Sequence, residues 1–362
     1  MFWVLKLKPE TLFNSLIISP VLRIGVFNTE SMKKALLAFC VIFLGTVLNS
    51  FAQDIRFSQF YANKLYLNPA LAGSTNSANV SLNYRNQWPN LDLPYVTYSV
   101  SFDNFYEAIN GGIGIMLIQD DQGDGALKTT TFAGMYSFYL RINDDLIVRP
   151  ALEAAFMQKK VDWENLVFPD QVSPIYGSIF PHNTNGDPVT RSKDGWDFSL
   201  GAMAYYKNFY FGATAHHLAK PDLSFDDEQE DKLQTKYTFH AGAEFVLGGR
   251  SRRYADNWIL APALLFQKQG DFSQMNYGLY ASKSSIVFGL WFNQNFELNY
   301  DSFIGMAGFV TEFFKVAYSY DYAVTKLVHT NTGAHEISFS FPLGIDPKNR
   351  KRKIKAIRSP VF

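Results

Sequence analysis

The chain has 362 residues, with 33 Lys and Arg against 33 Asp and Glu, so its formal net charge is zero. That balance gives no electrostatic case for nucleic acid or an acidic substrate as a partner. Aromatics reach 16%, but the apolar residues are interleaved with polar ones rather than gathered into several runs of about twenty, which excludes a bundle of transmembrane helices.

One apolar run exists, "MKKALLAFCVIFLGTVLNSFAQD", Met32 to Asp54. Lys33 and Lys34 supply a charged start, Ala35 to Val47 an apolar stretch, and Ser50-Phe51-Ala52 a cleavage site with small residues at its two outer positions. This predicts a signal peptide over residues 32–52, with residues 1–31 an upstream extension from an earlier start codon. A membrane anchor is disfavoured because the run is short and no basic residues follow it. Cys40, the single cysteine, lies inside the apolar stretch and leaves with it, so the exported chain has no thiol chemistry. Residues 53–76 then form an N-terminal segment, periplasmic or lumenal, without a strand period.

From residue 77 onward, period-two segments recur. "NVSLNYR" (Asn79 to Arg85) sets Val80, Leu82 and Tyr84 against Asn79, Ser81, Asn83 and Arg85, and "YVTYSVSF" (Tyr95 to Phe102) continues the pattern. "WDFSLGAMA", "TFHAGAEFVL" and "KVAYSYDY" repeat it, as does "HEISFSF", in which Ile337, Phe339 and Phe341 oppose Glu336, Ser338 and Ser340. Side chains alternate across a strand, so these are strands, about fourteen in all. Pro150 and Pro262 fall inside strands and cannot donate to a ladder, which predicts bulges there.

The connections sort by parity. "NDD" (Asn143 to Asp145), "KN" (Lys207-Asn208), "SKS" (Ser282 to Ser284) and the turn near Thr311 are short and follow even-numbered strands. Val161 to Lys193 and Leu218 to Leu233 are long and follow odd-numbered ones. Short turns at one end and long loops at the other mark an outer-membrane barrel with its short end in the periplasm. The expected fold is therefore all-β, a transmembrane antiparallel β-barrel of about fourteen strands over residues 77–344, closed so that lipid meets no unpaired backbone. Its apolar face meets lipid and its polar face lines the lumen. Trp88, Tyr95, Trp196 and Trp291 fit the interfacial aromatic girdles. A soluble sandwich with one wet face is the alternative, and it leaves the loop sorting unexplained.

Arg85, Arg149, Glu153, Asp197, Glu244, Lys315, Asp321 and Glu336 are assigned to the lumen, either as a pore lining or as opposite charges that pair and fill it. A lumen of this size also holds residues 53–76, and a plugged barrel is the expectation. No catalytic, cofactor or metal site is expected. "DDQGDG" (Asp120 to Gly125) lacks the Glu that a calcium loop needs at its twelfth position, occupied by Thr131, and reads as a hairpin turn. "FDDEQED" (Phe225 to Asp231) reads as a solvated loop tip, and the adjacent His216 and His217 are expected to face opposite ways on a strand. No nucleophile elbow or phosphate loop is present.

Residues 345–362 form a basic tail, periplasmic by parity, with Lys348, Arg350, Lys351, Arg352, Lys353 and Lys355. "GGRSRRYADN" adds Arg250, Arg252 and Arg253 at the same end. Together they are candidates for electrostatic docking on an acidic periplasmic partner.

"QDIRFSQFYANKLYLNPALAGS" (Gln53 to Ser74), "YRNQWP" (Tyr84 to Pro89), "AYSYDY" and "GAHEISFSF" resemble the PorP/SprF family of outer-membrane barrels from the Bacteroidetes type IX secretion and gliding-motility machinery. The resemblance spans nearly all of the exported chain. Its signature falls on Asn68, Pro69, Ala70 and Gly73, then on Tyr84, Arg85, Asn86, Gln87 and Trp88. It implies an accessory, non-enzymatic role in the cell outer membrane, with a surface adhesin or secreted cargo and periplasmic motor or ring components as partners. The extension "PLGIDPKNRKRKIKAIRSPVF" departs from the family's usual ending near the last strand. A porin or FadL-like channel for small molecules is the competing reading.

Overall fold

The computed structural model describes residues 54–75, 77–91, 93–123, 125–162, 191–225, 232–247, 257–295, 300–324 and 333–343. Their strands are β1 (Ala78–Gln87), β2 (Tyr95–Tyr106), β3 (Gly111–Gln122), β4 (Leu127–Phe138), β5 (Leu140–Arg141), β6 (Leu146–Val161), β7 (Arg191–Tyr206) and β8 (Phe209–His216). The rest are β9 (Lys236–Ala243), β10 (Phe245–Leu247), β11 (Trp258–Gln269), β12 (Phe272–Lys283), β13 (Ile286–Asn295), β14 (Tyr300–Val310), β15 (Lys315–Ala323) and β16 (Ala334–Leu343). β4 with β5, and β9 with β10, are single staves broken at Tyr139 and Glu244, so the wall has fourteen antiparallel staves. β16 pairs with β1 from Ala78↔Leu343 to Gln87↔Ala334, which closes the barrel and leaves no sheet edge.

The alternation read from the sequence becomes the two faces of this wall. On β16, Glu336 is fully buried and Phe339 is 40% exposed. Leu82, Val100, Phe132, Phe198, Phe239 and Phe288 all stand on the outer surface, whereas Asn79, Ser81, Asn83, Ser99, Ser101 and Asp103 are buried inside. A soluble protein would invert that distribution, and a lipid-facing barrel requires it.

The two prolines act differently from expectation. β6 pairs with β4 up to Ala151↔Ser137 and with β5 from Val148↔Leu140, so Pro150 falls in the gap between them. Pro262 likewise falls between Ala263↔Gly242 and Leu260↔Phe245. Neither gap contains an extra residue. Each proline therefore interrupts a ladder without bulging it, because the missing N–H removes a bond while the register stays continuous. The broken staves recover by turning to their other neighbour: Tyr139 N donates to Asn110 O and Glu244 N to Asn208 O, both at 2.9 Å. The one register shift among the described strands lies at Asn293/Gln294.

One end of the barrel carries the connections 107–110, 142–145, 207–208, 284–285 and 311–314 and is called here the turn end. The other, the loop end, carries the long connections 162–190 and 217–235. Parity has exceptions at the loop end. Residues 270–271 make a two-residue turn there, with Gly270 at φ +56°, and residues 123–126 close the β3–β4 hairpin expected from "DDQGDG".

The core lies in the lumen. Residues 54–75 run through it, with one helical turn, α1 (Lys64–Leu67), and a 3-10 turn at Pro69–Leu71. Tyr61, Asn63, Leu65, Asn68 and Ala70 are at most 2% exposed. Asp54 meets side chains from the loop ends of β9 and β11, and Gly73 meets the turn-end part of β2. The segment thus spans the lumen from one end to the other, and the barrel is plugged.

Candidate functional site: the plugged lumen

The signature "NPALAG" is the lock at the turn end. Asn68 is extended, and its side-chain oxygen accepts from Ala70 N at 2.9 Å, which caps the 3-10 turn that Pro69 begins. Asn68 Nδ2 faces the wall and donates to Ala202 O at 3.1 Å. Gly73 sits at φ +63°, and a side chain there would come within 2.6 Å of Gly112 on β3. Backbone therefore meets backbone, and only glycine satisfies both demands. Arg149 completes the lock. It is fully buried and donates to Ser137 Oγ at 3.1 Å, to Gly73 O at 3.2 Å and to Ala72 O. Among the described residues it forms no ion pair with a carboxylate; it satisfies carbonyls of the plug instead.

An aromatic layer fills the middle. Phe60 packs edge-on against Trp291 at 4.6 Å, and Tyr61 lies near Tyr210, Tyr280 and His240. Tyr210 Oη donates to Tyr61 Oη at 2.9 Å. Trp291 is 1% exposed, which corrects its assignment to the lipid girdle. Trp196, 63% exposed, stands on the outer surface beside Phe156, and Trp88 packs on Tyr95 at 5.1 Å.

Above this layer the charges converge on the plug. Glu336 accepts from Ser58 N at 2.6 Å, from Gln59 N at 3.1 Å and from Arg85 at 3.2 Å. Arg85 also lies 3.6 Å from Asp321 and donates to Ser58 Oγ and Gln87 Oε1. Gln59 uses its whole amide, donating to Ser319 Oγ and Glu336 O and accepting from Ser338 Oγ at 2.6 Å. Nearer the turn end, on β2 beside β1, Asp103 pairs with Lys64 of the plug at 2.8 Å. Arg85, Asp321 and Glu336 thus pair as one reading of the lumenal charges required. Glu153, Asp197 and Glu244 are also buried, and Lys315 borders a cavity of about 90 Å3 between α1 and β16.

Asp54 anchors the segment at the loop end. It lies 3.2 Å from Lys236 and 2.8 Å from His217, and His217 reaches Asp197 at 2.7 Å with its other ring nitrogen. His217 falls one residue past β8 with φ +59°. That left-handed turn swings its ring to the same side as His216, 6.2 Å away, so the two histidines do not face opposite ways. Burial works to lower the His217 pKa, but the carboxylates of Asp54 and Asp197 raise it to about 9. Burial likewise opposes the Asp54 charge, yet His217 and Lys236 hold that carboxyl well below the usual range. Both groups are charged at neutral pH.

Ser199 Oγ touches His216 Nδ1 at 3.1 Å and donates to Glu153 Oε1 at 3.0 Å. Serine and carboxylate therefore meet the same imidazole edge, which cannot relay a proton from one to the other. No group of three or more His, Cys, Asp or Glu among the described residues can hold a metal ion. Arg250, Arg252, Arg253, Lys348, Arg350, Lys351, Arg352, Lys353 and Lys355 lie outside the described residues, as do residues 1–53 and 163–190. Sequence reasoning missed the roles of Asp54, Gln59, Lys64 and Asp103. The one available signal was a polar segment without strand period placed before a barrel large enough to contain it.

No curated protein shows significant sequence similarity to the chain. Among solved structures, it is similar to the P. putida toluene transporter TodX, at 10% identity and TM-score 0.47, covering 77% of this chain and 93% of that one. The Ralstonia pickettii toluene transporter TbuX gives 10% and 0.46, covering 77% and 92%. The Acinetobacter baumannii outer membrane protein Omp33 gives 10% and 0.42, covering 75% and 99%. A sequence profile of the type IX secretion system membrane protein PorP/SprF family matches residues 49–341. A closed barrel with a lipid-facing wall and a family match over most of its length lead to one conclusion: the chain belongs to the PorP/SprF family of type IX secretion system membrane proteins and resides in the outer membrane.

Proposed function

We propose that the protein is an anchoring component of the type IX secretion and gliding machinery, tying a surface adhesin or secreted cargo to periplasmic motor or ring components. The observation that carries this reading is the filled lumen. Buried ion pairs and a backbone-to-backbone lock hold residues 54–75 across the whole barrel, which suits a rigid docking platform better than a passage. In this reading the loop end faces outward and the turn end faces the periplasm, as short turns do in such barrels. The basic connection at residues 248–257 and the basic tail then both lie in the periplasm, available to an acidic partner.

Affinity capture of the full chain from native membranes tests the anchor, read by mass spectrometry with and without residues 348–362. Loss of periplasmic partners at low salt, with barrel abundance unchanged, is the expected result, because exposed charge attraction decays over a Debye length of roughly 8 Å at physiological salt. Equal recovery from both chains would remove the tail from the interface. A steady current through the intact protein in planar bilayers would favour the FadL-like channel reading instead.

A further inference from the structure

At the loop end, a cavity of about 210 Å3 lies between the plug and β3, β4, β6 and β7. Part of its lining is apolar: Ile118, Ala155, Met157, Leu223 and Leu233. Met157, Leu223 and Leu233 form their own small cluster, where the bridge Asp222↔Lys232 closes the base of the loop above. Much of the rest is charged or ionisable, with Lys159, Lys236, His216 and His217 beside four carboxylates. Asp54, Asp120, Glu153 and Asp197 all border the space.

This polar lining has unused capacity. Glu153 Oε1 accepts from Ser199, but Oε2 has no partner; Asp197 Oδ2 meets His217, but Oδ1 has none; His216 Nε2 has none either. These three residues are 8%, 2% and 7% exposed. Glu153 lies directly opposite Ser199 in the β6–β7 register, and Asp197 is the next inward position on β7. Their carboxylates are therefore diagonal neighbours on one face. The nearby cations are engaged elsewhere. Lys236 holds Asp54, His217 lies between Asp54 and Asp197, and the Lys159 ammonium lies 5.6 Å over the Phe225 ring. Among the described residues, no Lys or Arg lies within ion-pair distance of Glu153; His216 Nδ1, at 3.9 Å, is its nearest charged candidate.

A buried carboxylate oxygen without a donor is costly, and a cavity bordered by two of them calls for a cation with several N–H donors. The apolar part of the lining calls for a short hydrocarbon. We propose that this cavity is a binding site for a primary ammonium carried on a short aliphatic chain, as in an alkylamine or a lysine side chain. The ammonium donates to Glu153 and Asp197, and the chain lies along Met157, Leu223 and Leu233. The volume equals that of about seven liquid waters, enough for a short alkylamine and too small for a folded element. This site does not depend on the anchoring role.

The test uses the full chain in lipid nanodiscs, with n-hexylamine, 1-hexanol and hexanoate titrated by calorimetry. Hexylamine should bind at least about tenfold tighter than hexanol, and hexanoate should not bind. Glu153→Gln keeps the acceptor toward Ser199 and removes the charge. It should weaken hexylamine roughly tenfold while leaving hexanol unchanged. Leu233→Trp, outside the strands, should fill the space and abolish both. Hexylamine binding no tighter than hexanol, or binding indifferent to both substitutions, overturns the site. Competition by a peptide with one lysine, against the same peptide with norleucine, identifies the source. Displacement assigns the ammonium to a polypeptide; binding of hexylamine without displacement assigns it to a free amine.

Discussion

The two ends of the lumen are built on different principles. At the turn end the plug and wall interlock mainly through backbone and shape: Gly73 against Gly112, Asn68 on Ala202 O, and Arg149 buried over the carbonyls of Ala72 and Gly73, with the Lys64–Asp103 pair beside them. At the loop end the plug is held by charge, through Asp54, Lys236 and His217, and the packing opens into cavities of about 210 and 310 Å3. Shape complementarity seals because close-packed atoms leave no room for water. Charge pairing tolerates gaps because its force acts over longer distances. One end is thus a seal, and the other is a mouth with a tether.

The strongest way to break that comparison is to remove the seal. Arg149→Ala deletes three hydrogen bonds from one buried guanidinium. Each bond from a charged donor is worth about 1.5–3 kcal/mol, so a loss of about 3 kcal/mol or more is expected. Heat-modifiable mobility should persist while the melting temperature falls and ionic current appears in planar bilayers. A silent bilayer would mean that the charged end alone keeps the lumen closed.

The wall should be indifferent to which end a residue belongs to, and β16 offers a matched pair. Phe339→Arg places a charge in lipid at a cost of roughly 2–4 kcal/mol and should sharply reduce assembled barrel in outer-membrane fractions. Ser338→Ala loses the bond to Gln59 Oε1, about 1 kcal/mol, and should still assemble. Normal accumulation of the arginine variant would reverse the assignment of faces.

The tether should respond to pH and the seal should not. The His217 pKa is raised from 6.5 to about 9 in the folded protein. Its contribution is fully present below the lower value and disappears as pH climbs through the upper one. Asp54 is shifted the other way, so its charge is retained until strongly acidic conditions. Hydrogen exchange, corrected for intrinsic rates, should show amides near Asp54 losing protection progressively between about pH 6.5 and 9, with those near Gly73 unchanged. His217→Gln should abolish the step. A step of equal size at both ends would show that the plug releases as one unit.

The difference between the ends also explains what was legible beforehand. Strand pairs such as Tyr84/Arg85 and Ser338/Phe339 could be assigned to faces from a local rule, because alternation needs only the neighbouring residues. That rule failed on β13, "IVFGLWFNQN", where Trp291 faces inward. Its inner positions meet plug aromatics rather than water, so both faces are apolar and the period disappears. It failed again at His217, where one positive φ reverses a side chain.

By itself, the sequence determined a closed barrel, its lipid-facing and inward residues, and the signature that marks the family, because strand periodicity and short motifs are written in consecutive residues. Only the tertiary structure decided that Asp54 meets His217, that Gln59 meets Glu336 at a separation of 277 residues, and that Arg149 binds carbonyls instead of a carboxylate. Those contacts depend on where a segment without strand period lies inside a closed wall. That position follows from shape and charge summed over the whole lumen, which no local window of sequence contains.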